Sequence, residues 1–285
     1  MTLKARYARD AIIQIVMVLL TALVVIPLFI IIGYVVINGI SALNMDFFTQ
    51  ELGSPARAMR GRPTGLVHSI TGTIVIDLVA LVMAVPFGIA TGIMMSEYQE
   101  HPLSPVARLM TSTLNGMPAV LMGLLAYGLV VKNTGGFSAL AGSVALAFVM
   151  IPIIARTTES VLRVTPWGLR EAGLSLGIPR WKVTTSLVLP AARAGVVTGI
   201  LIAFARAAGE AAPLLLTSFG NNYFSLDMTR PMDTLPQRLY SLAISPYKQW
   251  HAMGWGGAII LLLFVMITFL VGRLVIRRME RQMEQ

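Results

Sequence analysis

The chain has 285 residues, 56% hydrophobic and only 12% charged, a balance too apolar for a soluble globular domain and one that makes the bilayer its solvent. The net charge of +9 does not mark a nucleic-acid binder, because the basic residues stand between long apolar runs instead of on one polar face. With no cysteine, neither a disulfide nor a thiolate metal site can be built.

The first apolar run, residues 11–37, follows Lys4, Arg6 and Arg9 as a signal peptide would. It is too long for a cleaved signal and exceeds the roughly 20 residues that cross the hydrocarbon layer, so a retained helix is predicted. Further spans follow near residues 70–95, 107–131, 137–155, 194–216 and 252–272, six in all, which puts both termini on one side. With those termini cytoplasmic, fourteen Lys and Arg fall in inner segments and seven in outer ones, the bias expected of that orientation. The outer cluster Arg57, Arg60 and Arg62 runs against it and suits contact with a periplasmic partner.

Pro27, Pro86, Pro118, Pro152 and Pro213 lie inside apolar spans, where a missing donor is tolerated if neighbouring helices re-satisfy the backbone. Gly88, Ala90 and Gly92 in one span, and Gly195, Gly199 and Ala203 in another, allow close helix approach. These features predict kinked helices in a tight bundle and leave transporter, channel and membrane enzyme equally open.

Residues 165–190, TPWGLREAGLSLGIPRWKVTTSLVLP, are helical in pattern but too charged to cross the membrane. Thr165 and Pro166 predict a helix start with a hydroxyl cap, Gly177 a stop, and Pro179 a second short helix. Leu169, Ala172, Gly173 and Leu176 share one predicted face, and Arg170 and Glu171 lie off it.

Within the fifth span, Arg206 and Glu210 are flanked by apolar sequence. A central Arg costs about 2.5–3.5 kcal/mol on insertion scales, so it faces a bundle interior or aqueous cavity and takes a partner. Four positions apart on one helix, the two side chains can pair. One reading is a self-neutralising pair that joins helices. The other is an anion pathway, in which the guanidinium meets phosphate oxygens and Glu210 keeps their capture weak enough for release. Asp77, on the second span, is expected near the outer boundary in water, with contact to Arg206 as the alternative.

The inner loop resembles the EAA loop of binding-protein-dependent ABC importers: Glu171-Ala172-Gly173, three residues, Gly177, nine residues, then Leu187, Leu189 and Pro190, with Gly173 for the usual Ala and Leu187 for the usual Ile. Residues 205–217, ARAAGEAAPLLLT, resemble the matching span of PstA-type phosphate permeases at Arg206, Glu210 and Pro213. Leu169-Arg170-Glu171-Ala172 and Met95-Ser96-Glu97-Tyr98 also fit that group. The similarity runs from about residue 68 onward, which divides the chain into 1–67 (tail, first helix and periplasmic loop, alike only in layout) and a core permease domain, 68–285.

The resemblance implies an all-α integral membrane protein of the bacterial inner membrane, with the six transmembrane helices of the type I importer (MetI-like) permease fold. It implies that Arg170, Glu171, Ala172, Gly173 and Gly177 belong to a coupling helix docked on a cytoplasmic ATPase. It also implies a PstC-like second permease, a PstB-like ATPase dimer and a PstS-like phosphate-binding protein as partners. ATP and Mg would be used by the ATPase, and no cofactor is expected on this chain.

The residues agree with a separate ATPase: Lys4, Lys132, Lys182 and Lys248 follow Leu, Val, Trp and Tyr, never the Gly of a Walker A loop. His68, His101 and His251 fall at different span edges without metalloprotease spacing, which argues against an intramembrane enzyme. A passive anion channel would leave the EAA-like loop with nothing to dock. Within the importers, a permease for another oxyanion, molybdate or sulfate, is the alternative to phosphate.

Overall fold

A computed structural model describes residues 3–281, which are helical apart from loops and one isolated bridge, Phe219 to Met232. The first helix, α1 (Leu3–Gly39), absorbs Pro27 without a break. Two short helices, α2 (Met45–Thr49) and α3 (Pro55–Met59), lead to α4 (Val67–Glu97). Next come α5 (Leu103–Gly116) and α6 (Ala119–Thr134), then α7 (Ala139–Val164). The loop region holds α8 (Trp167–Ser175) and α9 (Arg180–Ala191), and the chain continues through α10 (Arg193–Ala207), α11 (Ala212–Leu215), α12 (Leu235–Ala243) and α13 (Lys248–Arg281).

Among the described residues four helices, α1, α4, α7 and α13, are long and apolar enough to cross a membrane alone. Six crossings result if each bent pair, α5 with α6 (113°) and α9 with α10 (75°), counts as one. The predicted third and fifth spans are therefore broken, not continuous. The third breaks at Met117, which the following Pro118 ring drives into extended backbone (ψ 139°); Pro118 is extended as well (ψ 138°). The predicted fourth span is longer than expected: α7 runs nine residues past 155, carrying Arg156, Glu159 and Arg163 in its last turns.

Helix α4 is the axle of the bundle. Its residues Ala80, Ala84, Gly88 and Gly92, one every fourth position, form a small-residue ridge against α7. A Cβ on Gly88 would meet Ile154 at 2.7 Å, and one on Gly92 would meet Thr158 at 2.5 Å. Ala90 lies off this ridge, exposed. On the other side of α7, Gly195 meets Val161 and Gly199 meets Thr157 in the same way, so α10 packs as closely. Ile76, Leu146, Met150, Ile154, Phe204 and Leu214 fill the core between them. By contrast α1 buries none of its apolar window within the chain and touches α13, with Tyr34 edge-on to Trp255 at 5.3 Å.

The bundle has two polar ends. The end opposite residues 165–190 is capped by Phe47, Leu66, Leu235, Leu242 and Met253, with Arg57, Arg60 and Arg62 exposed on its surface. There Asp233 accepts from Arg238 Nε at 2.7 Å and from the Ser69 hydroxyl, and His68 Nε2 lies 3.6 Å away. The Leu235 N–H donates to Thr73 Oγ1 at 2.8 Å, so the segment between α11 and α12 is clamped to the start of α4. Burial pushes the Asp233 carboxyl above the usual carboxylate range, and Arg238 pulls the other way.

Asp77 is not in water. It is 2% exposed, on the face that α4 turns toward α7 together with Thr73, Ile76 and Ala80, and its Oδ2 has no hydrogen-bond partner. No ion pair joins it to Arg206 among the described residues.

Candidate functional site: a broken-helix cleft and a docking loop

Arg206 occupies the last turn of α10, where a cation faces the unpaired carbonyls of a helix C-terminus. The helix stops at Ala207, because Gly209 weakens the next turn and the Pro213 ring has no N–H to continue the ladder. Ala208 N–H makes the last helical bond, to Phe204 O, and tight turns follow, Gly209 N–H donating to Arg206 O and Glu210 N–H to Ala207 O. The expectation that Arg206 and Glu210 share one continuous helical face is thus corrected. They sit on the two sides of an unwound segment, with Arg206 Nε 3.9 Å from Glu210 Oε1 and side chains 55% and 24% exposed. This long, wet pair leaves most of the guanidinium's donors unused.

The second break in the chain lies beside the first. Gly123 of α6 packs on Pro213, where a Cβ would come within 2.6 Å of the proline Cα. Arg206 therefore lines a narrow crevice of about 10 Å³, no more than one water needs, with Asn115, Met117 and Met122 of the α5–α6 bend and with Pro152 of α7. Backbone unwound at this depth is tolerated where it lines a cavity or is covered by protein, and such breaks present charged and polar groups to a passing solute.

The loop of residues 165–190 folds into two short helices, as predicted, and Gly177 at φ +73° reverses the chain between them, a conformation favourable for glycine. Three details differ from expectation. Pro166, not Thr165, stands at the N-cap of α8, and the Thr165 hydroxyl donates back to Val161 O at 3.1 Å. The buried face carries Arg170 and Gly173, while Ala172 and Leu176 are exposed, so the predicted apolar face is rotated. Arg170, expected among the docking residues, points inward at 5% exposure.

Buried Arg170 is held on every side. Its Nε and Nη2 donate to the two oxygens of Glu97 at 2.9 and 2.6 Å, and it also reaches the carbonyls of Thr165 and Leu162. Trp167 lies over the guanidinium at 5.3 Å. Next to Glu97, Tyr98 sits under Arg180 at 5.4 Å, so both short helices are tied to the end of α4. A bidentate pair of this kind fixes orientation as well as distance. Gly173 lets α8 lie on Val183 and Leu187, whose methyls would stand 2.9 and 3.0 Å from a Cβ there. What remains exposed is Glu171, with Ala172, Leu174, Leu176 and Gly177, a small charged and apolar surface on a rigid support.

Close to this loop lies a cluster of three arginines around one buried carboxylate. Glu159, 6% exposed at its side chain, meets Arg108, Arg156 and Arg163, each at 3.0 Å. The spacing of Arg156, Glu159 and Arg163 on one helix was the available signal; Arg108 comes from another helix and had none.

A match to the family described as "Binding-protein-dependent transport system inner membrane component" covers residues 84–281. A phosphate transport system permease protein PstA of Xylella fastidiosa (strain Temecula1) is 41% identical over 243 residues, covering 85% of this chain and 83% of that one. One from Yersinia pestis is 38% identical over 84% of this chain and 80% of its own. A probable PstA of Methanocaldococcus jannaschii is 30% identical over 93% and 92%. Among solved structures, a chain of the inward-facing MetNI methionine ABC transporter superposes with TM-score 0.64 at 18% identity, covering 75% of this chain and 95% of that one.

Proposed function

This chain belongs to the binding-protein-dependent transport inner membrane component family and, within it, to the phosphate transport permeases; from that premise we propose how its residues serve import. The protein is the transmembrane permease subunit of an ATP-driven phosphate importer with the MetI-like fold. The observation that carries the residue-level reading is the meeting of two helix breaks at Arg206, which leaves a half-exposed guanidinium, weakly held by Glu210, within reach of an anion at the mouth of a narrow crevice that must widen to admit one.

In this reading phosphate passes Arg206 in hydrogen-bonded contact, and the loose Glu210 pair takes the guanidinium back as the anion leaves. The loop end faces the cytoplasm, both termini lie on that side, and the chain divides into 1–67 and a core permease domain, 68–285, with Phe47 and Tyr34 of the first part packed on the second. Glu171, Ala172, Gly173 and Gly177 present the docking surface to an ATPase on a separate chain, which uses ATP and Mg. Arg170 holds that surface in place through Glu97. A PstC-like permease completes the pathway, a PstB-like dimer drives it, and a PstS-like protein delivers phosphate at the end that carries Arg57, Arg60 and Arg62.

Uptake of labelled phosphate into vesicles holding the assembled complex, with ATP inside and sulfate or molybdate as competitor, tests the substrate. Uptake that needs ATP and resists both competitors is expected. Equal competition by sulfate or molybdate would move the assignment to another oxyanion, and uptake without ATP would favour a passive channel.

A further inference from the structure

We propose that Arg108, Arg156 and Arg163, gathered on Glu159, form a second anion site that takes the phosphate group of inorganic phosphate on its way from Arg206 to the cytoplasm. The proposal rests on the reading of Arg206 above and extends it to the inner half of the path.

Two helix faces carry it. On α5, Arg108, Ser112 and Asn115 follow at intervals of four and three, so they share one face. On α7, Pro152, Arg156 and Glu159 do the same. The faces meet in register: Asn115 Nδ2 lies 3.4 Å from Pro152 O, Arg156 donates to the Ser112 hydroxyl, and Arg108 Nη2 reaches Glu159 Oε1 at 3.0 Å. The uppermost rung, Asn115 and Pro152, lines the cleft that holds Arg206. The lowest lies seven residues along α7, a descent of about 10 Å. A polar track thus leads from the broken helices to the end that bears the docking loop.

At its foot the track opens on a shallow surface depression of about 560 Å³ lined by the three arginines, Gln99 and Ser112, with Leu109 and Pro105 beside them. Three guanidiniums meet one carboxylate there, which leaves two positive charges, the charge that hydrogen phosphate carries with opposite sign. Glu159 is buried, whereas the Arg108, Arg156 and Arg163 side chains are 36%, 36% and 42% exposed. The carboxylate therefore fixes the cations; Arg108 Nη2 also donates to Met95 O at 3.0 Å and Arg156 Nη2 to Ser112, and the donors that remain belong to side chains that line this opening. Solvent keeps the attraction weak, which suits a station that must release its ion.

The headgroup of an anionic lipid offers the same chemistry, so the test separates the two. The full transporter is placed in phosphatidylcholine vesicles, and modification of Arg108 and Arg163 by phenylglyoxal is followed by mass spectrometry with and without inorganic phosphate. Phosphate is expected to slow it. The variant R108Q/R163Q keeps Arg156 as partner for the buried Glu159 and is expected to assemble but to lose uptake about tenfold, with R108K/R163K recovering part of the loss.

Labelling unaffected by phosphate, or unchanged uptake in R108Q/R163Q, would reduce the cluster to a clip between α5 and α7. Protection only in vesicles containing phosphatidylglycerol would make the ligand a lipid and overturn the exit role. The same protection measured on Arg206→Gln separates the two readings. Protection that persists while that variant still transports normally would remove Arg206 from the path and leave the inner site standing.

Discussion

Arg170 grips both oxygens of Glu97 at 2.9 and 2.6 Å across 73 positions of sequence, with both side chains less than one-tenth exposed. The pair joins the docking loop to the end of α4, whose other end holds Asp233 and the Leu235 N–H through Ser69 and Thr73. One unbroken helix thus connects the loop to the opposite cap.

Breaking that pair leaves an uncompensated buried charge, which costs about 3–5 kcal/mol. Arg170→Gln and Glu97→Gln are expected to lower phosphate moved per ATP hydrolysed, by uncoupling the loop from α4, more than they lower the amount of complex. Coupling ratios measured on purified, equally assembled transporters check this; an unaltered ratio contradicts a coupling role.

Glu171 is exposed, and among the described residues no ion pair ties it to the rest of the loop. Glu171→Ala is expected to leave permease yield and thermal stability within about 0.5 kcal/mol, as surface changes do, and to weaken capture of the ATPase subunit from detergent extract. Equal co-purification of the ATPase would contradict a docking role for this residue.

Gly92 sits where a Cβ meets Thr158 Cβ at 2.5 Å, and the helix axes must part to admit a side chain. Gly92→Val is expected to destabilise by at least the 1–3 kcal/mol typical of overpacking, seen as loss of folded protein by fluorescence-detected size exclusion. Gly168→Ala, with nothing within 4 Å of its Cβ, serves as the tolerated comparison.

Asp233 has a carboxyl raised chiefly by burial, so the folded chain retains its proton at pH values where the unfolded chain has lost it. Its contribution to stability is then full below the ordinary carboxylate range and declines as pH rises through the higher folded value. Hydrogen exchange of residues 217–238, corrected for intrinsic rates, is expected to quicken over that window. Asp233→Asn should remove the dependence while weakening the bond from Arg238.

The positions of four crossings were legible from apolar run length, and the docking loop from its charge and its Gly177 stop. The breaks were not, because a proline in an apolar run reads equally as a kink or an end: Pro27, Pro86 and Pro152 stay inside helices, and Pro118 starts a new one. Arg206 and Glu210 were visible as charges in apolar sequence, but their i,i+4 spacing suggested a helical pair where the chain is unwound. The spacing of Arg156, Glu159 and Arg163 on one helix was a usable signal for Glu159, and only Arg108 had none. Glu97 is visible in the sequence only as part of Met95-Ser96-Glu97-Tyr98, because its partner Arg170 lies 73 positions away, information that no local pattern contains. Asp77 was misplaced for the same reason: only the packing of α4 on α7 buries it.

ATP-driven phosphate uptake by the complete complex carrying Arg206→Gln, at matched assembly and ATPase content, tests the central claim most directly. Loss of uptake with the complex intact is the expected result and places the guanidinium on the path. Uptake equal to that of the unaltered complex would reduce the Arg206–Glu210 pair to a contact between helix ends and contradict the pathway described here.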